Sequence, residues 1–364
     1  MELCEFTEGR AKIEVPKFEK VTAKTPVFYN PKMEFSRDIS VSVMKTLKIK
    51  DQGKVLDGLS GSGIRGIRYM LESGTEVFFN DHNPVAVSLI EKNLKLNSLE
   101  ATVTKSDFNH IYGKFEVVDI DPFGSPVRFL DGAFRLLKNN SYLFLTATDT
   151  SALTGAHKDS CRRKYDAIPL KSSFTHELAV RILIGKVVRN AAKYNFALRP
   201  ILSYTKEHFI RAYFEIKYGK EKTNNALNNI GFALNCKCGY RRLTNEFNPD
   251  CPFCRQKVSF SHPLWISKIK DREFVSSCVK EYEALDFLGK KPLELLKTVE
   301  NEIDAPLFYD IHELTHIYKT KIPKTEEMIK RLKEIGFNAS ATHFSSVSVK
   351  TDAEINDVLR CLDG

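Results

Sequence analysis

The chain has 364 residues, 42% of them apolar and 28% charged, a composition of soluble globular proteins with room for two or three domains. Lysine and arginine outnumber aspartate and glutamate 55 to 46, a formal charge of +9, which favours an anionic partner, nucleic acid first. No apolar run reaches bilayer-spanning length and the N-terminus lacks a signal-peptide core. A cytoplasmic protein without a membrane partner is therefore expected, and its eight cysteines read as thiols or metal ligands rather than disulfides.

In chain order, the first thirty residues are punctuated by proline and read as short strands and turns. The aromatic segment Val27-Phe28-Tyr29-Asn30 precedes a helix over residues 34–48, whose apolar face is Ile39, Val43, Met44 and Leu47. Arg37 and Asp38 sit in its first turn. Residues 54–57 read as a strand ending at Asp57. Gly58-Leu59-Ser60-Gly61-Ser62-Gly63 follows as a Gly/Ser-rich turn, and a helix begins at Ile64. Such glycines let the backbone approach a ligand, and the helix start offers free N–H groups. Arg65 is unusual there for a dinucleotide site, where small residues normally pack. Further strands are predicted over 76–81, 101–107, 115–121 and 141–149. Helices are predicted over 85–96 and 174–194, and a closing antiparallel pair over 201–204 and 209–218. Alternation of this kind predicts a doubly wound, mostly parallel sheet.

Three acids end three successive strands: Asp81, Asp107 and Asp121. In a parallel sheet they share one edge with the turn opened by Asp57 and Gly58, and ligands bind at that edge. Asp81 is placed to accept from ribose hydroxyls. Asp107 is placed to accept from an adenine amine, with Phe108 behind the ring. Asp121-Pro122-Phe123-Gly124-Ser125-Pro126 resembles the Asp/Asn-Pro-Pro-Phe/Tyr signature of methyltransferases acting on exocyclic amines. The lone pair of such an amine is delocalised into the base. Acceptors on its N–H bonds, here the Asp121 carboxylate and the Pro122 carbonyl, would localise it, and Asp121 could take the released proton. Phe123 would stack on the base, and Phe28 is expected on its other face.

Several motifs together are similar to the tRNA guanine-26 N2-dimethyltransferase family. They are Phe28 to Asp38, Asp57 to Gly66, Asn80-Asp81-His82-Asn83-Pro84 and Asp121 to Pro126. Thr146 to Asp149, Cys161 to Tyr165, His176-Glu177 with Arg181, Pro263-Leu264-Trp265 and Thr342-His343-Phe344 with Lys350 extend the match. The resemblance implies S-adenosylmethionine as methyl donor and transfer of one or two methyl groups to the 2-amino group of guanine 26 in tRNA. It also implies that Arg37, Arg65, Asp81, Asp107 and Phe108 contact the cofactor, and that Asp121 and Pro122 grip the amine. The implied fold is a class I, Rossmann-like α/β methyltransferase sheet.

Composition shifts after Gly219, so residues 1–219 are expected to form the methyltransferase domain and 220–364 a smaller α+β, RNA-binding domain. That domain holds Cys236, Cys238, Cys251 and Cys254, a set suited to a structural zinc. The first pair, Cys236-Lys237-Cys238, is one residue tighter than the family's usual Cys-x-x-Cys. Helices over 293–302, 308–318, 324–335 and 352–362, with a strand-like 340–350, suggest a winged-helix-like module. His312-Glu313-Leu314-Thr315-His316 matches a zinc-protease motif but has no evident third ligand, so it is read as coincidence. Arg162-Arg163-Lys164 with Lys171, and Lys319, Lys321, Lys324, Lys330 and Arg331, are basic runs suited to RNA phosphates. Two rival readings are a nicotinamide-dependent oxidoreductase and a non-catalytic zinc-containing RNA-binding protein. Nothing implies a protein partner, and a monomer is expected.

Overall fold

The computed structural model describes residues 3–17, 27, 29–49 and 53–362. An antiparallel hairpin, β1 (Leu3–Glu8) and β2 (Ala11–Pro16), leads into α1 (Glu34–Leu47). Next come β3 (Lys54–Asp57), α2 (Ile64–Ser73), β4 (Glu76–Asp81), α3 (Pro84–Leu96) and β5 (Val103–Lys105). The sheet continues through β6 (Phe115–Ile120), β7 (Leu137–Ala147), β8 (Phe196–Lys206) and β9 (Phe209–Tyr218), with the helix Thr175–Ala192 before β8.

The seven strands lie in the order β5-β4-β3-β6-β7-β9-β8. β5 through β7 are parallel, and β9 runs against both its neighbours. The order reverses between β3 and β6, so the C-terminal ends of β3, β4 and β6 open onto one crevice. Successive residues such as Val55/Leu56, Val117/Val118 and Tyr213/Phe214 enter opposite apolar cores, as the two-residue period of a strand requires. Such strands are apolar on both faces, which made them legible as continuous runs. β5 is shorter than the predicted 101–107. Asp107 leaves the ladder and caps a short 3-10 turn by accepting from the Asn109 N–H at 2.8 Å.

Beyond the sheet, β10 (Ile230–Asn235), β11 (Arg241–Thr244) and β12 (Ser259–Trp265) form a small antiparallel sheet. Then follow helices Arg272–Glu283 and Lys290–Asn301, β13 (Tyr309–Asp310), helices Ile311–Tyr318 and Thr325–Glu334, β14 (Ala339–Thr342), β15 (Ser345–Thr351) and helix Ile355–Leu362. From Lys290 this is helix, strand, helix, helix, hairpin, with the sheet ordered β13-β15-β14, the arrangement of a winged helix. The predicted single strand 340–350 is a hairpin turning at His343-Phe344. Among the described residues no helix is long and apolar enough to cross a membrane.

The expected boundary at 219–220 lies between sheets, but the apolar cores run across it. Trp265, Ile269, Leu307, Phe308 and Phe344 pack in the core of helix Thr175–Ala192. Val275, Cys278, Val279, Tyr282, Leu296 and Val299 pack in the core of α1 and α2. A buried charge cluster joins the winged helix to the sheet domain. Lys350 Nζ lies 3.1 Å from Glu177 and 2.8 Å from Glu302, and His343 Nδ1 lies 2.6 Å from Glu302. Burial opposes ionisation of Glu302, but Lys350 and His343 outweigh it and hold its pKa far below the usual range. A carboxylate with a lowered folded pKa adds stability above its unfolded pKa and loses it as pH falls. Lys350→Met, which takes away the cation shared by two buried carboxylates and leaves Glu177 to Arg181 and Glu302 to His343, is expected to cost ~3 kcal/mol of unfolding free energy at neutral pH. Denaturant melts should show the deficit narrowing as pH falls below 4.5, the ordinary glutamate value.

Candidate active site and metal centre

The turn after β3 is built on close backbone packing. A Cβ on Gly58 would lie 2.4 Å from the Phe108 ring, and Gly63, at φ +81°, starts α2 from the left-handed region. Asp57 is buried beneath that start and accepts from the Gly66 N–H at 3.1 Å. Burial, and then the neighbouring Asp119, push its carboxyl up to about 7.

The strand-end acids meet as the sequence predicts. Asp81 accepts from the backbone N–H groups of Gly61 and Asn83, each at 2.9 Å, which anchors the carboxylate at the mouth of the turn. Phe108 is buried edge-on against Phe129, with ring centroids 5.5 Å apart. The crevice is a cavity of about 600 Å³, a size suited to a nucleoside-containing ligand. Arg37, Asp57, Arg65, Asp81, Asp107, Phe108, Asp121, Pro122 and Phe123 all line it. Gly58 stands behind Phe108, and Phe28 lies outside the described residues.

Asp121 follows β6 directly. Its loop is pinned from the next strand: the Gly124 N–H donates to Thr148 Oγ1 at 2.7 Å, and the Thr148 N–H to the Gly124 carbonyl at 3.0 Å. Ser125 Oγ donates to the Tyr165 hydroxyl at 3.0 Å, which donates to Asp149 at 2.6 Å. Phe123 is thereby presented at the rim, 58% exposed. Arg65 Nη2 pairs with Asp121 Oδ2, and Arg65 Nη1 donates to Ser40 Oγ at 3.0 Å. Burial favours the neutral form of Asp121, but Arg65, Arg211 and a hydrogen bond from Thr146 together keep its pKa below the usual range. The carboxylate is therefore anionic at neutral pH.

Two layers beneath this edge were not anticipated. Arg211 in β9 grips Asp119 in β6 through two hydrogen bonds, 2.8 and 2.7 Å, and donates to Thr146 at 2.9 Å. Tyr69 donates to Asp119 at 2.8 Å. Glu8 in β1 accepts two bonds from Arg37, both 2.5 Å, and one from Arg68 at 3.0 Å, tying the hairpin to α1 and α2. Asp119 and Arg211 each interrupt an apolar run in the sequence. An acid inside one apolar run and an arginine inside the other were the one signal that these strands lie close together.

The four cysteine sulfurs lie within 4.8 Å of one another, with Cys236–Cys254 at 3.4 Å and Cys238–Cys251 at 3.6 Å. Tetrahedral zinc with ~2.3 Å bonds needs sulfurs about 3.8 Å apart, so four thiolates converging this closely fit that ion. The tight first pair is accommodated by a turn in which the Gly239 N–H donates to the Cys236 carbonyl at 3.0 Å. His312 and His316 are both exposed on helix Ile311–Tyr318. The cysteine set is the only group of potential metal ligands among the described residues, so the His-Glu-x-x-His match has no third ligand. Of the C-terminal cations, Lys319, Lys321, Lys324 and Lys330 are exposed. Arg331 instead bonds the Cys361 carbonyl and Glu327.

Comparison with known proteins gives a consistent picture. The family described as N2,N2-dimethylguanosine tRNA methyltransferase matches residues 9–363. The chain is 40% identical over 374 residues to a tRNA (guanine(26)-N(2))-dimethyltransferase of Thermococcus kodakarensis, covering 97% of each chain. It is 38% identical over 371 residues to one of Methanothermobacter thermautotrophicus, covering 98% of each. Its fold is similar to that of Trm1 from Pyrococcus horikoshii in complex with S-adenosyl-L-methionine. The TM-score is 0.89 at 38% identity, over 99% of this chain and 100% of that one.

Two outcomes follow from the geometry. Arg65→Met removes the nearest cation from Asp121, so the Asp121 carboxyl should titrate at higher pH than in the wild type, as read by carbon-13 NMR. An unmoved titration would show that Arg65 does not set its charge. Elemental analysis of purified protein should find a single zinc ion per chain. Cys251→Ser should lose the metal and lower the melting temperature.

Proposed function

The chain belongs to the N2,N2-dimethylguanosine tRNA methyltransferase family, and we propose how its cavity performs that family's reaction. The enzyme transfers methyl groups from S-adenosylmethionine to the exocyclic 2-amino group of guanine 26 in tRNA. The observation that carries the mechanism is the Asp121 carboxylate, paired with Arg65 at the edge of the nucleoside-sized cavity.

The donor set suits S-adenosylmethionine: two strand-end carboxylates, a buried ring and a glycine turn surround the cavity. Asp81, Asp107 and Phe108 line the cavity and would hold the cofactor, Asp81 accepting from ribose hydroxyls, Asp107 from the adenine amine, and Phe108 backing the adenine. Arg37, fixed by Glu8, forms the wall toward α1. When bound, the cofactor supplies an electrophilic methyl group on a sulfonium.

The target guanine leaves its stack to reach Asp121, since the amine is inaccessible within a helix. Arg65 takes one oxygen of Asp121, and the other accepts an amine N–H. The Pro122 carbonyl accepts the second N–H. Both contacts draw the lone pair out of conjugation with the ring, and positioning supplies the rest of the catalysis. Phe123, at the rim of the cavity, stacks on one face of the base. A methylated aryl ammonium is a strong acid, so a carboxylate of lowered pKa is basic enough to take its proton. After one transfer the amine still has an N–H for Asp121, which permits a second.

We assign the chemistry to residues 1–219 and RNA recognition mainly to 220–364. The protein works as a monomer in the cytoplasm, where reducing conditions keep the four cysteines available to zinc.

Asp121→Ala should lower methyl transfer to unmodified tRNA by ~10³-fold, with tRNA and S-adenosylmethionine affinities within two-fold of wild type. Labelled-methyl incorporation with nucleoside analysis of the product measures this. Undiminished transfer would remove Asp121 from the mechanism. Because its pKa is lowered, the wild-type rate should not fall through loss of this carboxylate until the pH drops below 3.8, the ordinary aspartate value.

A further inference from the structure

The helix Lys158–Tyr165 has two different faces. Cys161 and Tyr165 are buried in the core, while Lys158, Arg162 and Arg163 are exposed. Lys164 is engaged with Asp149 at 3.0 Å. Lys158, Arg163 and the exposed Lys171 line an open groove of about 580 Å³ with His157, and Asp159 is the one carboxylate on its wall. Among the described residues these three lysine and arginine side chains form no ion pair. Neighbouring Asp166 is occupied by Lys186 at 2.5 Å. A groove with three uncompensated cations and one anion has the chemistry of a phosphate seat.

Its position is more telling than its charge. The helix follows β7 on the same sheet edge as Asp121. It is joined to the Asp121 loop by the Ser125–Tyr165–Asp149 hydrogen-bond chain, at 3.0 and 2.6 Å. Arg163 is two residues before Tyr165, so groove and catalytic loop are held by one rigid turn of helix. A base drawn into the cavity brings its own flanking phosphates to this edge.

We propose that the groove seats tRNA backbone phosphates adjacent to the extruded guanine, and that helix Lys158–Tyr165 sets the register between that backbone and Asp121. This rests on the methyltransferase reading above. Arg163 and Lys171 are positioning residues that act on the RNA backbone and not on the transferred methyl.

The test compares Arg163→Glu/Lys171→Glu with Lys95→Glu/Lys217→Glu, an equal charge change at two exposed lysines within residues 1–219. Lys95 lies near the end of α3 and Lys217 near the end of β9, and both elements run against the parallel strands, so these lysines lie at the opposite sheet edge. The groove variant should raise the KM for tRNA about ten-fold at 0.15 M salt and lower the slope of log KM against log salt by about two, one for each cation removed. Its S-adenosylmethionine affinity and melting temperature should match wild type, and the control pair should leave KM and slope near wild type. If the glutamate pair folds poorly, Arg163→Gln/Lys171→Gln should show the same slope change with a smaller KM rise. KM and slope no different from the control would overturn the groove assignment, including in favour of an acidic protein partner. Wild-type protein that fails to methylate tRNA in the same assay would instead overturn the function.

Discussion

The buried pair of Asp119 and Arg211 governs the chemistry of the edge above it. Arg211 is wholly inside the sheet, its guanidinium 4.9 Å from the centre of the Tyr213 ring and 5.7 Å from that of Phe144. Desolvating an arginine there is costly, and the two bonds to Asp119 offset that cost. The pair spans from β6 across β7 to β9, with Thr146 of β7 between. An antiparallel strand inserted next to β7 thus places a fixed cation beneath Asp121. Together with Arg65 it makes the amine-binding carboxylate an anion in a site that would otherwise protonate it.

Much of this was legible from sequence. Strands Glu76–Asp81 and Phe209–Tyr218 lie where the apolar runs put them, and the acids at 81, 107 and 121 meet because a doubly wound sheet leaves them no other place. What escaped was long-range. Helix Arg272–Glu283 has its apolar Val275, Cys278, Val279 and Tyr282 at helical spacing, yet it sits in a polar stretch and gains its core only by packing on α1. The hairpin turn at His343-Phe344 contains neither glycine nor proline, so it reads as strand. The turn is held instead from outside, by Thr342 donating to Glu302 at 2.8 Å and by His343. The partner of Asp119 lies 92 positions away, and only the strand order brings it near.

The cysteine module braces the two halves of the chain. A Cβ on Gly239 would lie 2.5 Å from Leu314, and Tyr318 donates to the Cys238 carbonyl at 2.9 Å, so the first metal knuckle rests on the winged helix. On its other side β12 crosses helix Thr175–Ala192 at Gly185, where a Cβ would lie 3.0 Å from the Trp265 nitrogen. Arg181 donates to the Trp265 and Ser267 carbonyls at 3.1 and 2.8 Å. Cysteine module, winged helix and sheet domain therefore form one continuous body.

The two outer strands of the sheet bear on how the protein behaves in a crowded solution. An open sheet edge offers unpaired N–H and C=O groups that invite a strand from another molecule. On one side the edge is β5, three residues long, too short to template an added strand. On the other, β8 carries Pro200 beside a register shift, its Ile201 carbonyl is taken by the Asp271 N–H at 3.0 Å, and Arg199 is clipped to Asp271 and Glu215. Neither side is an adhesive surface, so the fold resists aggregation through its strands.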